Sequence, residues 1–310
     1  MAEQIKETRL AFLFEALQRG SMRAAADALS IAPSAVSRQI SLLEEELAIP
    51  LIERQARGIK PTEAGRLLVE YIREQRSHQN DLLSHLQRLR GLHSGTVHVA
   101  LGEGFVSDFM AGPLAKFSRD HGDIAIALDV GGTAELIRRV CEDEADIGVV
   151  LNPPPDSKIV SLASSKQPVQ AIVGPDFPLL ARPGPFRIQD FLSYPLALNH
   201  PTYGMRHLLQ LVEETEKIRI TPRLSTNSFY ILRQFVKHQL GVTFLPAFVA
   251  TDELQAGDLF ALPIRHPILE NAEVHLIKRA GRRLSFAANR MSQYMIARMS
   301  SLRSAPTRQN

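Results

Sequence analysis

The sequence predicts an α/β protein with an all-α N-terminal segment and a long helix joining it to the rest. Two observations carry that reading. Apolar residues up to about position 90 recur at helical spacing, and beyond it strand-like and helix-like stretches alternate. The 310 residues are 45% hydrophobic and 22% charged, enough apolar material for two or three domain cores, which excludes a disordered chain. Cys141 is the one cysteine, so neither an internal disulfide nor a multi-cysteine zinc site can form. The chain is expected to be cytoplasmic. Charges at Glu3, Lys6, Glu7, Arg9, Glu15 and Arg19 interrupt any signal-peptide core, and no run of about eighteen apolar residues could span a membrane. Net charge is +3, and residues 1–90 hold 13 basic against 12 acidic side chains, so bulk charge does not announce a nucleic-acid partner.

Leu10, Leu13, Phe14 and Leu17 form one face of a first helix, and Gly20-Ser21 ends it. Ser21 suits the N-cap of a short second helix, Met22–Leu29, whose alanines at 24–26 permit a close neighbour. Pro33 suits the first turn of a third helix, in which Val36, Ile40, Leu43 and Leu47 share a face. Its opposite side carries Ser34, Ser37, Arg38 and Ser41. Pro50 stops that helix, and residues 51–61 read as two short strands turning at Arg57-Gly58, a wing. From Thr62 to Leu89 a long helix places Leu68, Ile72, Gln75, Gln79, Leu82, Leu86 and Leu89 in a heptad seam. That seam fits pairing of two copies; packing onto the chain's own C-terminal part is the alternative.

After Gly91, strands are expected at Thr96–Leu101, Ile124–Val130, Ala145–Leu151, Val169–Val173, Leu196–Leu198, Arg219–Leu224, Val242–Leu245 and Glu273–Lys278. Helices are expected to Arg119 and over Ala134–Glu144, Met205–Thr215, Phe229–His238 and Ser285–Arg298. This alternation implies βαβ units and parallel sheets. Two such units separate at hinges placed over Ser164–Pro168 and Pro263–Pro267, and residues 301–310 read as a disordered tail.

The stretch Ala24–Leu47 carries the chemistry. Two packed helices with a short polar and basic outer face have the pattern of a helix-turn-helix, although any alanine-rich helical pair with a tight turn produces it. Arg38 is long enough to pair with guanine or clamp a phosphate, and Ser34 and Ser37 lie on the helix's first turns. Arg54, Arg57 and Lys60 on the wing would reach the adjacent backbone or minor groove. Arg23 and Pro33 complete the DNA-contact candidates. Glu44-Glu45-Glu46 opposes a uniformly basic helix, but lies downstream, where the helix should point away from DNA.

Ala25-Ala26, Leu29, Ala35-Val36-Ser37-Arg38-Gln39-Ile40, Leu43-Glu44, Leu47, Leu51, Arg54, Gly58, Thr62 and Ala64-Gly65 follow one another in the order and spacing of LysR-type transcriptional regulators. The chain resembles that family over about 65 residues, and its length and βαβ pairs extend the resemblance nearly throughout. It departs at Ala32-Pro33-Ser34, where the family commonly reads Ser-Gln-Pro; the third helix thereby lacks a serine N-cap at 32, a loss of about 1 kcal/mol unless Ser30 or water substitutes.

The resemblance implies a winged helix-turn-helix over 1–61, a linker and dimerisation helix over 62–91, and an effector-binding domain over 92–300. That domain would be periplasmic-binding-protein-like, with lobe I at 92–165 plus 265–300 and lobe II at 166–264. Double-stranded operator DNA, a small-molecule effector and a second copy, as homodimer or homotetramer, are the implied partners. Physics places an effector where loops leave the strand C-termini. Glu103, Gly104, Phe105, Thr133, Asn199, Thr202, Tyr203 and Asn227 are the effector candidates, with Thr133 and Ser228 near helix N-termini that favour an anion such as a carboxylate. The family often has a small hydroxyl residue at the place of Glu103. An acid there would select a cationic or polyhydroxylated effector, or face water.

Cys141 reads as a small buried hydrophobe without a resolving cysteine, and the ten histidines show no HxxxH or HxH spacing. Without GxGxxG, P-loop or GxSxG motifs, no cofactor, metal or catalytic residue is expected. The alternative reading is an α/β solute-binding protein or enzyme with an accessory helical domain.

Overall fold

A computed structural model describes residues 5–56, 58–89 and 95–303, without side chains at 80, 81, 84, 85 and 87–89. It divides into two compact units, Met1–Leu83 and Ser84–Asn310.

The first unit opens with α1 (Glu7–Gln18), α2 (Met22–Leu29) and α3 (Pro33–Leu47). Ser21 caps α2, its Oγ accepting from the Ala24 N–H at 3.0 Å. Ser30 then takes the left-handed conformation (φ 56°) that ends α2, so it is not available to cap α3. Ala32 therefore begins α3 with no side-chain cap, and Pro33, which lacks the N–H that would go unpaired, follows. Leu13, Ala25, Ala26, Val36, Ile40 and Leu43 bury the three helices against one another.

The wing is an antiparallel pair, β1 (Ile52–Gln55) and β2 (Gly58–Pro61). Gly58 lies at φ +97°, and any Cβ there would stand 2.3 Å from the Gly20 carbonyl, which also accepts from the Ile59 N–H at 2.9 Å. Only glycine lets the wing approach α1 so closely. The acidic triplet is partly spent within this unit. Glu44 accepts from the Leu51 and Ile52 N–H groups at 2.7 and 3.2 Å, and Glu46 pairs with Arg9.

α4 (Glu63–Leu89) corrects the expected seam at its beginning. Ile72 is 4% exposed and Leu68 half-buried, both packed into the N-terminal core, so neither is open to a second copy. The helix instead exposes Leu67 and Tyr71, one position earlier, and then Leu82, Leu83 and Leu86. Gln75 and Gln79 are exposed, and the Gln75 amide donates to the Tyr71 hydroxyl at 2.9 Å. The side chain of Leu89 lies outside the described residues.

The second unit has two five-stranded sheets. Its strands and helices are β3 (Gly95–Leu101), α5 (Val106–Phe109), α6 (Ala115–Asp120), β4 (Ile124–Val130), α7 (Thr133–Cys141), β5 (Ile147–Leu151), β6 (Ile159–Lys166), β7 (Val169–Val173), β8 (Leu196–Asn199), α8 (Gly204–Glu216), β9 (Leu224–Thr226), α9 (Phe229–Lys237), β10 (Val242–Pro246), α10 (Thr251–Ala256), β11 (Phe260–Pro263), α11 (Pro267–Glu270), β12 (Glu273–Arg279) and α12 (Phe286–Arg298). One sheet runs β4-β3-β5-β12-β6 and the other β11-β7-β10-β8-β9. Apolar runs such as Ile147–Leu151 and Val242–Pro246 are buried at every position, as strands covered on both faces must be.

Four expectations are corrected here. The sheets are mixed: β12 is antiparallel to β5 and β6, and β7 to β10 and β11. β6 and β7, joined only by Gln167-Pro168, carry the chain from one sheet to the other, while β11 and β12 bring it back, so the outward and return runs are necessarily opposed. β6 also absorbs Ser164–Lys166, leaving the first hinge two residues. The expected strand over Arg219–Leu224 is confined to Leu224–Thr226; Pro222, which has no N–H to offer a ladder, stands before it. Finally, Ser301 and Leu302 are not disordered. They are buried in a short turn (Ser300–Leu302) whose backbone N–H groups meet the Asp108 carboxylate and whose carbonyls accept from the Gln167 amide. Residues 304–310 lie outside the described residues.

Candidate DNA-contact face and effector cleft

On α3 the burial of Val36, Ile40 and Leu43 turns the opposite side outward. Pro33, Ser34 and Arg38 are exposed there, as are Arg23 on α2 and Lys60 on the wing. Ser37 is half-buried and accepts from the Arg54 guanidinium at 3.1 Å, so two candidates expected to act separately form a strut between wing and helix. Arg57 lies outside the described residues. The serine-and-arginine side of α3 is therefore turned away from its own core, and short polar groups on the first turns of an exposed helix are what a major groove accepts.

In the second unit the strand order reverses at β3 and at β8, and the loops leaving these strands converge, as ligand-binding loops of open α/β sheets do. A cavity of about 160 Å³ lies between Ser107 and Asp108 of one lobe and Arg233 and Phe248 of the other. A smaller one, about 30 Å³, is lined by Gly104, Phe105, Thr133, Tyr203 and Phe229 among others. That is room for one or two waters, against the several hundred Å³ of a usual ligand pocket (about 300 or more).

Polar and aromatic contacts join the lobes across the cleft. The Thr133 Oγ1 accepts from the Gly204 N–H at 3.0 Å, placing the start of α7 against the start of α8. The Phe105 and Phe248 rings stack with centroids 5.1 Å apart. Glu103, which follows β3, reaches the N-terminus of α9: its carboxylate accepts from the Ser228 hydroxyl at 2.9 Å, the Phe229 N–H at 2.8 Å and the Tyr230 N–H at 3.3 Å. Glu103 is thus half-buried and engaged by the protein's own helix end. Sequence reasoning named the acid and the helix end separately; nothing in a linear pattern shows that residues 125 apart satisfy each other.

Burial, and secondarily the nearby Glu103 carboxylate, raises the pKa of the Tyr203 phenol, which keeps it a neutral hydroxyl. Its ring meets that of Phe229 edge-on at 6.1 Å. Thr202 and Asn227 are exposed and do not line the cavity. Asn199 is 4% exposed, with both amide atoms lacking a hydrogen-bond partner, beside Thr226 in the β8–β9 register. Sequence reasoning missed Phe248 and Val249, contributed to the cavity by the segment after β10.

Residues 8–66 match the model of the bacterial regulatory helix-turn-helix protein, lysR family, and residues 90–300 that of the LysR substrate binding domain. The chain belongs to the LysR family of bacterial transcriptional regulators. This LysR-type regulator is 26% identical over 288 residues to a RuBisCO operon transcriptional regulator of Acidithiobacillus ferrooxidans, covering 92% of each chain. It is 27% identical over 281 residues to an SDS degradation transcriptional activation protein of a Pseudomonas species, covering 88% of this chain and 90% of the relative. In fold it is similar to a full-length OxyR variant from Pseudomonas aeruginosa (TM-score 0.67, 17% identity, 99% and 100% covered). Full-length CbnR complexed with its target DNA is also similar (TM-score 0.51, 18% identity, 94% and 98% covered). As a LysR-type regulator the chain joins a DNA-binding helix-turn-helix to an effector-binding domain of two α/β lobes.

Proposed function

We propose that α3 reads the operator through Ser34, Ser37 and Arg38, with Arg23 and Pro33 at its approach and Arg54, Arg57 and Lys60 holding the flanking phosphates. The observation that carries this is the outward serine-and-arginine side of a helix whose other side is buried. Arg54 serves a second purpose by bracing Ser37. The protein works in the cytoplasm, as a regulator and not as an enzyme. Two copies present two recognition helices to a pseudo-palindromic site. The exposed Leu67, Tyr71, Leu82 and Leu86 on α4 supply the pairing surface, beside a groove of about 680 Å³ between α1 and α4. An effector acts through the cleft formed by the loops after β3, β4, β8 and β9.

The test is Arg38→Ala in operator binding at fixed salt, with wild type titrated over a range of salt. We expect weaker operator binding and an unchanged oligomeric state, and a wild-type affinity that falls steeply with salt as phosphate contacts are screened. Unchanged affinity of the variant would remove Arg38 from the interface.

A further inference from the structure

The N-terminus of α9 is built to hold an anion: the Ser228 hydroxyl and the Phe229 and Tyr230 N–H groups converge on one point. What stands at that point is the Glu103 carboxylate, delivered from the other lobe. Beside it, Gly104 and Phe229 line a cavity of only about 30 Å³. Thr226, two residues before Ser228, stands in register with buried Asn199, whose amide no described residue satisfies.

We infer that Glu103 is a built-in ligand: it occupies the anion position of the effector cleft and holds the lobes closed, and a small organic acid acts on this protein by displacing it. The inference rests on the cleft reading above and adds the regulation of that site. Two carboxylates cannot share the same three donors, so effector binding and the Glu103 clasp are mutually exclusive. The apparent affinity for an acid is then lowered by the fraction of molecules in which Glu103 is undocked. Glu103 is a gate, set by its own chain, on what the cleft admits.

Truncation of the side chain tests this by chemical rescue. Glu103→Ala leaves a hole the shape of acetate, and Glu103→Ser, run in parallel, leaves a similar hole with a different polarity. Glu103→Gln keeps the side-chain volume and fills it. Thermal unfolding of the full-length protein is followed against acetate, with chloride at equal ionic strength as control. We expect E103A to unfold at a lower temperature than wild type and to recover saturably with acetate but not chloride. Its acetate affinity should be at least about tenfold tighter than that of wild type, while E103Q should not respond. An E103A protein as stable as wild type, an equal response to acetate and chloride, or a wild type that binds acetate as tightly as E103A would each overturn the inference. Operator binding is measured on the same wild-type sample. If wild type binds the operator and the rescue fails, the clasp is wrong and the regulator reading stands; if wild type does not bind, that reading fails on its own account.

Discussion

Gly204 opens α8 where that helix meets the other lobe, and a single methyl group there measures how tightly the lobes are joined. A Cβ at this position would lie 2.4 Å from the Leu151 carbonyl oxygen and 2.9 Å from Thr133 Oγ1. Ordinary contact begins near 3.4 Å, so β5 and α8 must part by about 1 Å in Gly204→Ala. Leu151 O belongs to the backbone of a buried strand and cannot swing aside as the end of a side chain would. Overpacking of this kind costs about 1–3 kcal/mol, and parting also stretches the Gly204–Thr133 hydrogen bond, worth about 1 kcal/mol. Together, about 2–4 kcal/mol should lower the unfolding temperature by roughly 4–16 °C for a unit of this size. Gly131→Ala is the control from the same cleft, since its nearest neighbour, Leu136 Cδ2, would be 3.6 Å away. The assay is thermal unfolding of both variants beside wild type, with small-angle scattering to report lobe separation. If G204A unfolds within about 1 °C of wild type, the close contact between β5 and α8 is not how the lobes meet, and the reasoning fails.

Other outcomes follow from the same physics. Ala32→Ser supplies α3 with the cap it lacks and should stabilise the N-terminal unit by about 1 kcal/mol, read as a higher unfolding temperature; no change would mean that another group already satisfies those N–H groups. Ile72→Ala should destabilise that unit by about 2–5 kcal/mol, because Ile72 is core, and urea unfolding measures it. Leu82→Glu, at a position 59% exposed, should leave folding intact and dissociate the oligomer in sedimentation; an unchanged oligomer would take Leu82 out of the pairing surface. Burial, against the opposing pull of Glu273, lowers the pKa of His275 below its ordinary 6.5. The unfolded chain therefore takes up the proton first, so stability present above pH 6.5 is lost as pH falls from there through the lower folded value. His275→Gln should flatten that limb of the stability–pH curve, and an unaltered slope would exonerate this residue.

Much of the fold was legible because it is set by local periodicity. Ser21 as a cap, Gly58 in the wing and the strands at Ile124–Val130 and Val169–Val173 each depend on neighbours in the chain. The misreadings share a cause. Leu68 and Ile72 satisfy a heptad as well as any core face does, and only the position of α1 decides which surface claims them. β6 and β11 have too little apolar alternation to stand out, and become strands because the outward and return runs pair antiparallel within each sheet.

Residue order alone marks this chain as a LysR-type regulator, since Ala24–Gly65 carry a motif whose spacing is a property of consecutive helices. It also placed the serines and Arg38 on one side of α3, because a turn of 3.6 residues allows nothing else. Where Glu103 goes depends instead on how distant segments are brought together in space. A carboxylate after a strand and a helix N-terminus over a hundred residues later are unremarkable apart, and become a clasp only when the sheets bring them within 2.8 Å.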